Sequence, residues 1–533
     1  MSRASRLAAR ERTISAKEPI PTTMQARPST RPDVRSQTTE FVGDDPVVRM
    51  GLQEIIQRAV AHNADVAVAV YDPAIDETRV TEAEARFDPT FFANFGFTKE
   101  RVLEPSTSFV AVDPFNPSGF QSLSAQAGIR QNLFAGGQAE ISYRSQRIFR
   151  DEGFTTSLGP NPYYLNEAIL KVTQPLLRDF GAEINRARIS IAKNNQRITT
   201  LEFRKTLEEQ IFNTERAYWQ LVQAVQDVRI QEDLLAETIR TADILEARRR
   251  AGADVTRVQT SQAESAVASR EAVLVRARAR VKDLSDELKR RMGDPSYPIS
   301  SAVVILPGSD PLLMAIQFDP AEQFDTAMRN RFELGEQQIR IDSSAIALDV
   351  AKNNILPQLN LVGQVDFQGA GTDLGNAFDQ QSEGRPPSYS VSFEFEIPFG
   401  NRLARAVLKR AQLQRSQAIT EYARQIQQID QDVSTSLREV NTSYDEIVKR
   451  REAVFQAADS LRAVQQRREA DAAALTPEFV QLELDRQQEL ANARAEEAQA
   501  IQAYNTAIAQ LERAKGTLMR YNNIVMQEAQ LQK

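Results

Sequence analysis

The residues able to do chemistry are few. Cysteine is absent and His62 is the only histidine in 533 residues, which removes disulfides, thiolate metal sites, cysteine nucleophiles and a lipidated N-terminal cysteine together. His62 falls in a helical stretch where nothing nearby completes a metal shell or a catalytic triad, so it reads as an ordinary helix-face residue. No glycine-rich phosphate loop is present. The inventory points away from an enzyme and names no cofactor and no metal. A net charge of −7 is mild for this length and gives no sign of nucleic-acid binding. The remaining carboxylates, arginines and aromatics must act by position, and the question becomes which elements position them.

Residues 401–476 contain neither Gly nor Pro, and Ile419, Ile426, Val433, Val440, Ile447, Val454 and Leu461 recur within them at heptad spacing. That pattern predicts one coiled-coil helix about 110 Å long, too long for any single compact core to enclose. A second breaker-free run, 182–251, carries Leu221, Val228, Leu235 and Ala242, interleaved with Ile211, Tyr218, Val225 and Ile239. Gly252-Ala253-Asp254 marks a turn after it, and helix 255–292 returns with Val267, Leu274, Val281 and Leu288 before stopping at Gly293-Asp294-Pro295. After the other long run, Ala472 to Thr476 and Pro477 make the corresponding turn, and a helix returns to about residue 515.

Between these helices the period changes from seven to two. A helical pattern over 50–88 runs into Asp88-Pro89, after which Phe91, Ala93, Phe95 and Phe97 alternate with Thr90, Asn94, Gly96 and Thr98. Glu54, Ala59, Ala83 and Pro89 return in step as Glu322, Ala327, Ala351 and Pro357, so the chain is an internal duplication. After Pro357, Leu359, Leu361, Val365 and Phe367 alternate with polar residues, and Tyr389, Val391, Phe393, Phe395, Ile397 and Phe399 do the same over 388–399. Further strands are predicted at 121–134, 138–147 and 164–177. No apolar run approaches eighteen residues, so there is no transmembrane helix and any membrane span must be a β-barrel. A half-buried soluble sheet would present similar single strands. The joins 102–120 and 148–163 are long whereas 135–137 is tight, the loop asymmetry of outer-membrane barrels. Residues 1–46, rich in basic residues, Pro, Ser and Thr, read as disordered, and no apolar segment of a secretory signal is visible after the basic start.

In this order the elements resemble the TolC family of outer-membrane export ducts over about residues 50–526. The local matches are the duplicated helix before Pro89 and Pro357, the strand-to-helix passages Gln174-Pro175-Leu176-Leu177-Arg178-Asp179-Phe180-Gly181 and Ile397-Pro398-Phe399-Gly400, the Ala217-Tyr218-Trp219 segment, and the Gly252 turn followed by Val258-Gln259. The resemblance implies an α+β fold in which a long antiparallel coiled-coil α-helical barrel joins a transmembrane β-barrel, each built from a duplicated helix-strand-helix unit and completed in a homotrimer. The implied division is a leader at 1–46, a first repeat at 47–310 and a second at 311–533. The implied function is that of the outer-membrane channel of a tripartite efflux or type I secretion system, non-enzymatic, extending into the periplasm. Its partners would be outer-membrane lipid, a periplasmic adaptor, and an inner-membrane pump or secretion ATPase.

By the same resemblance the periplasmic mouth is ringed by acids, for which Asp471, Glu478, Glu483 and Asp485 are the candidates. These acids equally fit a solvated face near a helix N-terminus. The adaptor-contact candidates are the two turns, Gly252, Ala253 and Asp254 on one side and Ala473, Ala474 and Leu475 on the other. The chain departs from the family in two places: Ala474 stands where a glycine is usual, and the hairpin 121–147 exceeds the usual four strands per subunit. An isolated hairpin is marginal in water, so insertion into the wall is expected, with six strands per subunit and eighteen in a trimer; the alternative is a hairpin that folds inward or caps the outer mouth. A soluble coiled-coil scaffold would account for the heptads but not for the paired runs of alternating strands.

Overall fold

The computed structural model describes residues 40–42, 45–105, 115–150, 160–252, 255–383, 386–470 and 476–524. It separates into two compact units, one drawn from Met1–Asp72, Leu201–Leu334 and Arg424–Lys533, the other from Pro73–Thr200 and Gly335–Ala423. In chain order the elements are β1 (Glu40–Val42), β2 (Asp45–Met50), α1 (Leu52–His62), α2 (Ala64–Ala69), α3 (Tyr71–Glu84), β3 (Thr90–Pro105), β4 (Phe115–Asn132), β5 (Gln138–Arg150), β6 (Tyr163–Pro175), α4 (Ala182–Arg250) and α5 (Arg257–Met292). They continue as β7 (Val304–Pro307), α6 (Pro320–Asn330), α7 (Phe332–Asn353), β8 (Gln358–Gly371), α8 (Leu374–Ser382), β9 (Ser388–Glu396), α9 (Arg402–Ala470), α10 (Pro477–Ala514) and α11 (Leu518–Tyr521). The fold is therefore mixed helix and sheet, with α4 and α9 each a single helix of 69 residues.

The unit that holds β3, β4, β5, β6, β8 and β9 pairs them in an open six-stranded antiparallel sheet, in the order β3-β4-β5-β6-β8-β9. The hairpin β4–β5 sits inside it, fully paired on both flanks, Phe95 opposite Ala125 on one side and Arg144 opposite Glu167 on the other. A hairpin so placed has no unpaired edge.

The other unit is helical apart from a small sheet, β1-β2-β7, whose β2 and β7 run parallel with Val47 opposite Val304. The sequence reading did not anticipate this sheet. It begins inside the stretch expected to be disordered: Glu40–Val42 and Asp45–Met50 are strands because Val47 and Met50 bury against Ile55, Tyr218, Leu288, Met292 and Ile305. Residues 1–39, 43 and 44 of that leader lie outside the described residues. Each of these fully buried apolar side chains contributes about 1.5–3 kcal/mol, which outweighs weak strand propensity in so short a segment.

The helical stretch predicted over 50–88 breaks after His62. Asn63 leaves the helix with φ −61° and ψ 129°, and its side chain accepts the N–H groups of Asp65 and Val66 to start α2. In the duplicated position Arg331 breaks α6 with φ −66° and ψ 121°. The two copies thus share a backbone break as well as sequence landmarks.

The heptad seam of α9 is buried at Val433, Val440, Ile447 and Leu461, while Ile419 stays exposed. On α5 Leu274, Val281 and Leu288 are buried as the spacing predicts. On α4 the expected seam holds at Ile211, Tyr218 and Leu221, but toward the C-terminal end the buried positions are Ile230, Leu234, Thr238, Thr241 and Leu245, and Ile239 is exposed. Apolar periodicity missed this shift because two of the buried residues are threonines.

Candidate functional site: a two-faced sheet and a polar helical seam

Register fixes the two faces of the large sheet. Residues directly opposite one another share a face, so Phe95, Ala125, Ser145 and Asn166 line up across four strands, as do Phe91, Ile129, Ile141 and Leu170. Val365, opposite Leu170, extends that row to Tyr389 on β9. This face is mainly apolar and open to the surroundings, with Phe95 83 % and Phe393 66 % exposed; Ser145, Arg147 and Asn166 interrupt it toward the end away from the long helices. No soluble core accounts for such a surface.

The opposite face is polar and hydrogen-bonded across strands. Arg144 Nε donates to Glu167 Oε2 at 2.7 Å, Gln368 Nε2 donates to Glu167 Oε1 at 2.9 Å, and Gln126 Nε2 donates to Ser142 Oγ at 3.1 Å. These contacts run from β4 to β8, so the extra hairpin supplies polar residues to the same face as its neighbours. Among the described residues no helix is long and apolar enough to cross a membrane.

Each passage from strand to long helix is a hydrogen-bonded joint with positive-φ residues. At the first, Asp179 and Gly181 take positive φ, Asp179 N donates to Asn353 Oδ1 at 2.7 Å and Gly181 N donates to the Ala135 carbonyl at 3.1 Å. At the second, Gly400 and Asn401 take positive φ, and Asn401 Nδ2 donates to the Ile355 carbonyl at 3.0 Å. The tight 133–137 turn is also held at the first joint, because Gln174 Nε2 donates to the Ala135 carbonyl at 3.2 Å.

The helical unit carries a buried polar cluster contributed by four helices. Arg270 of α5 donates through Nη1 to Gln487 Oε1 and through Nη2 to the Leu484 carbonyl, both at 2.8 Å, and also to the Thr238 hydroxyl. Gln487 Nε2 donates to Thr241 Oγ1 at 3.0 Å. Glu483 of α10 pairs with Arg468 of α9. Burial pushes the Glu483 carboxyl above its ordinary range despite Arg468, and burial lowers Arg270. The signal available to sequence was a polar residue at a heptad-core position: Arg270 lies between the buried Ala263 and Leu274, and Gln487 between Leu484 and Ala491. Beside it an open cleft of about 820 Å³ lies between α5 and α10, lined by Val258, Gln262, Ser265, Gln481 and Asp485 among others.

The sequence-predicted site residues divide. Ala253, Asp254, Asp471, Ala473, Ala474 and Leu475 lie outside the described residues. Gly252 is exposed at φ +74°, and a Cβ added there would meet nothing within 4 Å, so the position favours glycine for conformation and not for close approach. Glu478 is exposed in the first turn of α10, where backbone hydrogen bonding at the helix start and the Thr476 cap hold its carboxyl below the usual range. Asp485 is exposed, one helical repeat from Glu478, and accepts from Gln481 Nε2 at 2.8 Å. Glu483 does not join them: it is 1 % exposed and points into the polar cluster. The correction has a simple cause, since Glu483 adjoins the seam residue Leu484 and a carboxylate there is tolerated because Arg468 and Thr241 meet it.

Residues 324–517 match the outer membrane efflux protein family. No curated protein matches the chain. Among solved structures, the outer-membrane channel OprN is 15 % identical with a TM-score of 0.61, covering 87 % of this chain and 90 % of its own. VceC from Vibrio cholerae is 17 % identical with a TM-score of 0.60, covering 87 % and 96 %. The open-state MtrE channel of Neisseria gonorrhoeae is 16 % identical with a TM-score of 0.59, covering 90 % and 95 %. The TolC-family resemblance read from the sequence is borne out by the family match and by the fold.

Proposed function

We infer that a chain whose residues 324–517 match the outer membrane efflux protein family, and whose fold is that of the OprN, VceC and MtrE channels, is an outer-membrane efflux channel that extends into the periplasm. It is a conduit and not an enzyme. The observation that carries the reading is the sheet with one mainly apolar, aromatic-rich face and one hydrogen-bonded polar face, which suits lipid on one side and water on the other.

The finer reading is a homotrimer. The order of strands leaves β3 and β9 as the sheet's edges, and in lipid an edge must be paired. Three copies would join β9 of one to β3 of the next and close a wall of about eighteen strands, wider than the twelve of a four-stranded subunit. The long helices would form the coiled-coil duct, from two structural repeats at about 47–310 and 311–533, with the shared break at Asn63 and Arg331 supporting that division. We assign adaptor contact to the turns at Gly252–Asp254 and Ala473–Leu475 and the mouth acids to Asp471, Glu478 and Asp485. Glu483 acts instead in the buried cluster. An inner-membrane pump or secretion ATPase would deliver the substrate. A soluble coiled-coil scaffold is not favoured, because it gives the open aromatic face no partner.

Cell fractionation with unheated gel migration tests the reading. A heat-modifiable trimer in the outer-membrane fraction is the expected result; a monomer confined to the cytosol overturns it.

A further inference from the structure

Between β8 and β9 the chain forms α8, which is seated on the large sheet. Two glycines make the seat. A Cβ on Gly369 would meet the Ala377 carbonyl oxygen at 2.1 Å, and one on Gly371 would meet the Ala377 nitrogen at 2.5 Å, so the helix backbone lies directly on the strand. Ala377 is completely buried there. Asn166 on the neighbouring β6 is also buried; it accepts from Ser145 Oγ at 2.7 Å and donates to the Leu374 carbonyl at 3.4 Å. Asp373 caps the helix start through Asn376 N, and Gln381 Nε2 donates to the Phe367 carbonyl.

The side of the sheet is decided by register. Gly369 is opposite Asn166 and Gly371 opposite Tyr164, in the same row parity as Phe367 opposite Ala168 and Val365 opposite Leu170. Successive members of that parity along β8 are Leu359, Leu361, Gly363, Val365, Phe367, Gly369 and Gly371. The helix therefore lies on the apolar face, at the end of the strand away from the joints to the long helices. Helical spacing sorts its exposed residues. Leu374 and Phe378, 57 % and 56 % exposed, stand one turn apart beside the seat, while Asp379 and Glu383 lie on the opposite side.

We propose that α8 is an interfacial helix that inserts Leu374 and Phe378 into the outer leaflet of the membrane at the headgroup boundary, tethering the rim of the wall to lipid. The occupant is lipid because the helix is continuous with the exposed aromatic face on which it sits, with Tyr389 of β9 exposed on that same face. A short helix with one apolar flank and an acidic opposite flank lies in the interface plane rather than crossing it. The proposal rests on the channel reading, since it needs the apolar face to be the lipid face.

The absence of cysteine allows single spin labels on the full-length protein. Leu374→Cys, Phe378→Cys, Asp379→Cys and Val391→Cys variants would be reconstituted in phosphatidylethanolamine–phosphatidylglycerol vesicles and probed for collision with oxygen and with a nickel chelate. Labels at 374 and 378 should favour oxygen at shallow depth, 391 should favour it more deeply, and 379 should favour nickel. A Gly369→Val change, which forces the helix off its seat, should return the 378 label to nickel access. Nickel access at 374 and 378 with 391 still in lipid would overturn the tether and leave the channel intact. Nickel access at 391 as well would overturn the channel reading and the tether with it.

Discussion

Arg270 Nη1 and Gln487 Oε1 meet at 2.8 Å between α5 and α10, each at a place where the helical repeat otherwise supplies an apolar side chain. A buried guanidinium is tolerable there only while its acceptors are present. Gln487→Leu should therefore destabilise the helical unit by about 1.5–3 kcal/mol, the usual worth of a hydrogen bond to a charged group. The double variant Arg270→Met with Gln487→Leu should recover much of that loss, because it removes the stranded charge as well. Trp219, the single tryptophan and buried in the same unit, reports unfolding by its fluorescence. Strictly additive losses would show that the two residues do not act together.

Two buried acids make stability fall as pH rises. Burial pushes the Glu208 carboxyl up to about 7, and burial does the same to Glu215, whose Oε2 accepts from Asn522 Nδ2 at 3.2 Å. Their ordinary value is 4.5, so the folded chain binds these protons more tightly than the unfolded chain. Their contribution is intact below pH 4.5 and is lost as pH climbs toward 7. Glu208→Gln and Glu215→Gln should each flatten this slope, by at most about 3 kcal/mol between those limits. Melting curves at pH 4.5 and pH 8 check it, and a wild-type minus variant difference that does not change with pH would refute it.

Gly252 should tolerate Asn better than Val. The left-handed backbone there costs an ordinary L-residue about 1–2 kcal/mol and a β-branched one more. Gly252→Val should abolish export while trimers, measured by cross-linking, persist; export at wild-type levels would remove the turn from the adaptor site.

Arg144 tests whether the inserted hairpin lines the lumen. Arg144→Met removes a positive charge from each copy beside Glu167. Reversal potentials in planar bilayers should shift toward cation selectivity. No shift would place the β5 polar face away from the ion path.

The long helices and all six strands of the large sheet were legible because each repeats its period many times. Phe91 to Phe97 and Tyr389 to Phe395 name one face of the sheet before any coordinates are known. The β1-β2-β7 sheet was hidden because strands of three to six residues carry almost no periodicity, and only contacts with Tyr218 and Leu288 reveal their burial. The polar seam was hidden for another reason: Thr238, Arg270, Glu483 and Gln487 occupy core positions that a search for apolar residues skips. The same assumption placed Glu483 on the surface. The seat of α8 depends on Gly369 and Gly371 meeting Ala377 across the chain, a relation that neither stretch announces alone.

Among the described residues, the paired interior position of β4–β5 leaves the large sheet with two edges, on β3 and β9. In the proposed trimer each backbone group left unpaired in hydrocarbon would cost several kcal/mol, so a copy without its neighbours would have no stable place in the membrane. One copy whose β9 cannot pair would thus spoil two sound partners. If sound and defective chains were made in equal amounts and mixed at random, only about one three-copy wall in eight would close, and a defect confined to Ser388–Glu396 would behave as a dominant lesion.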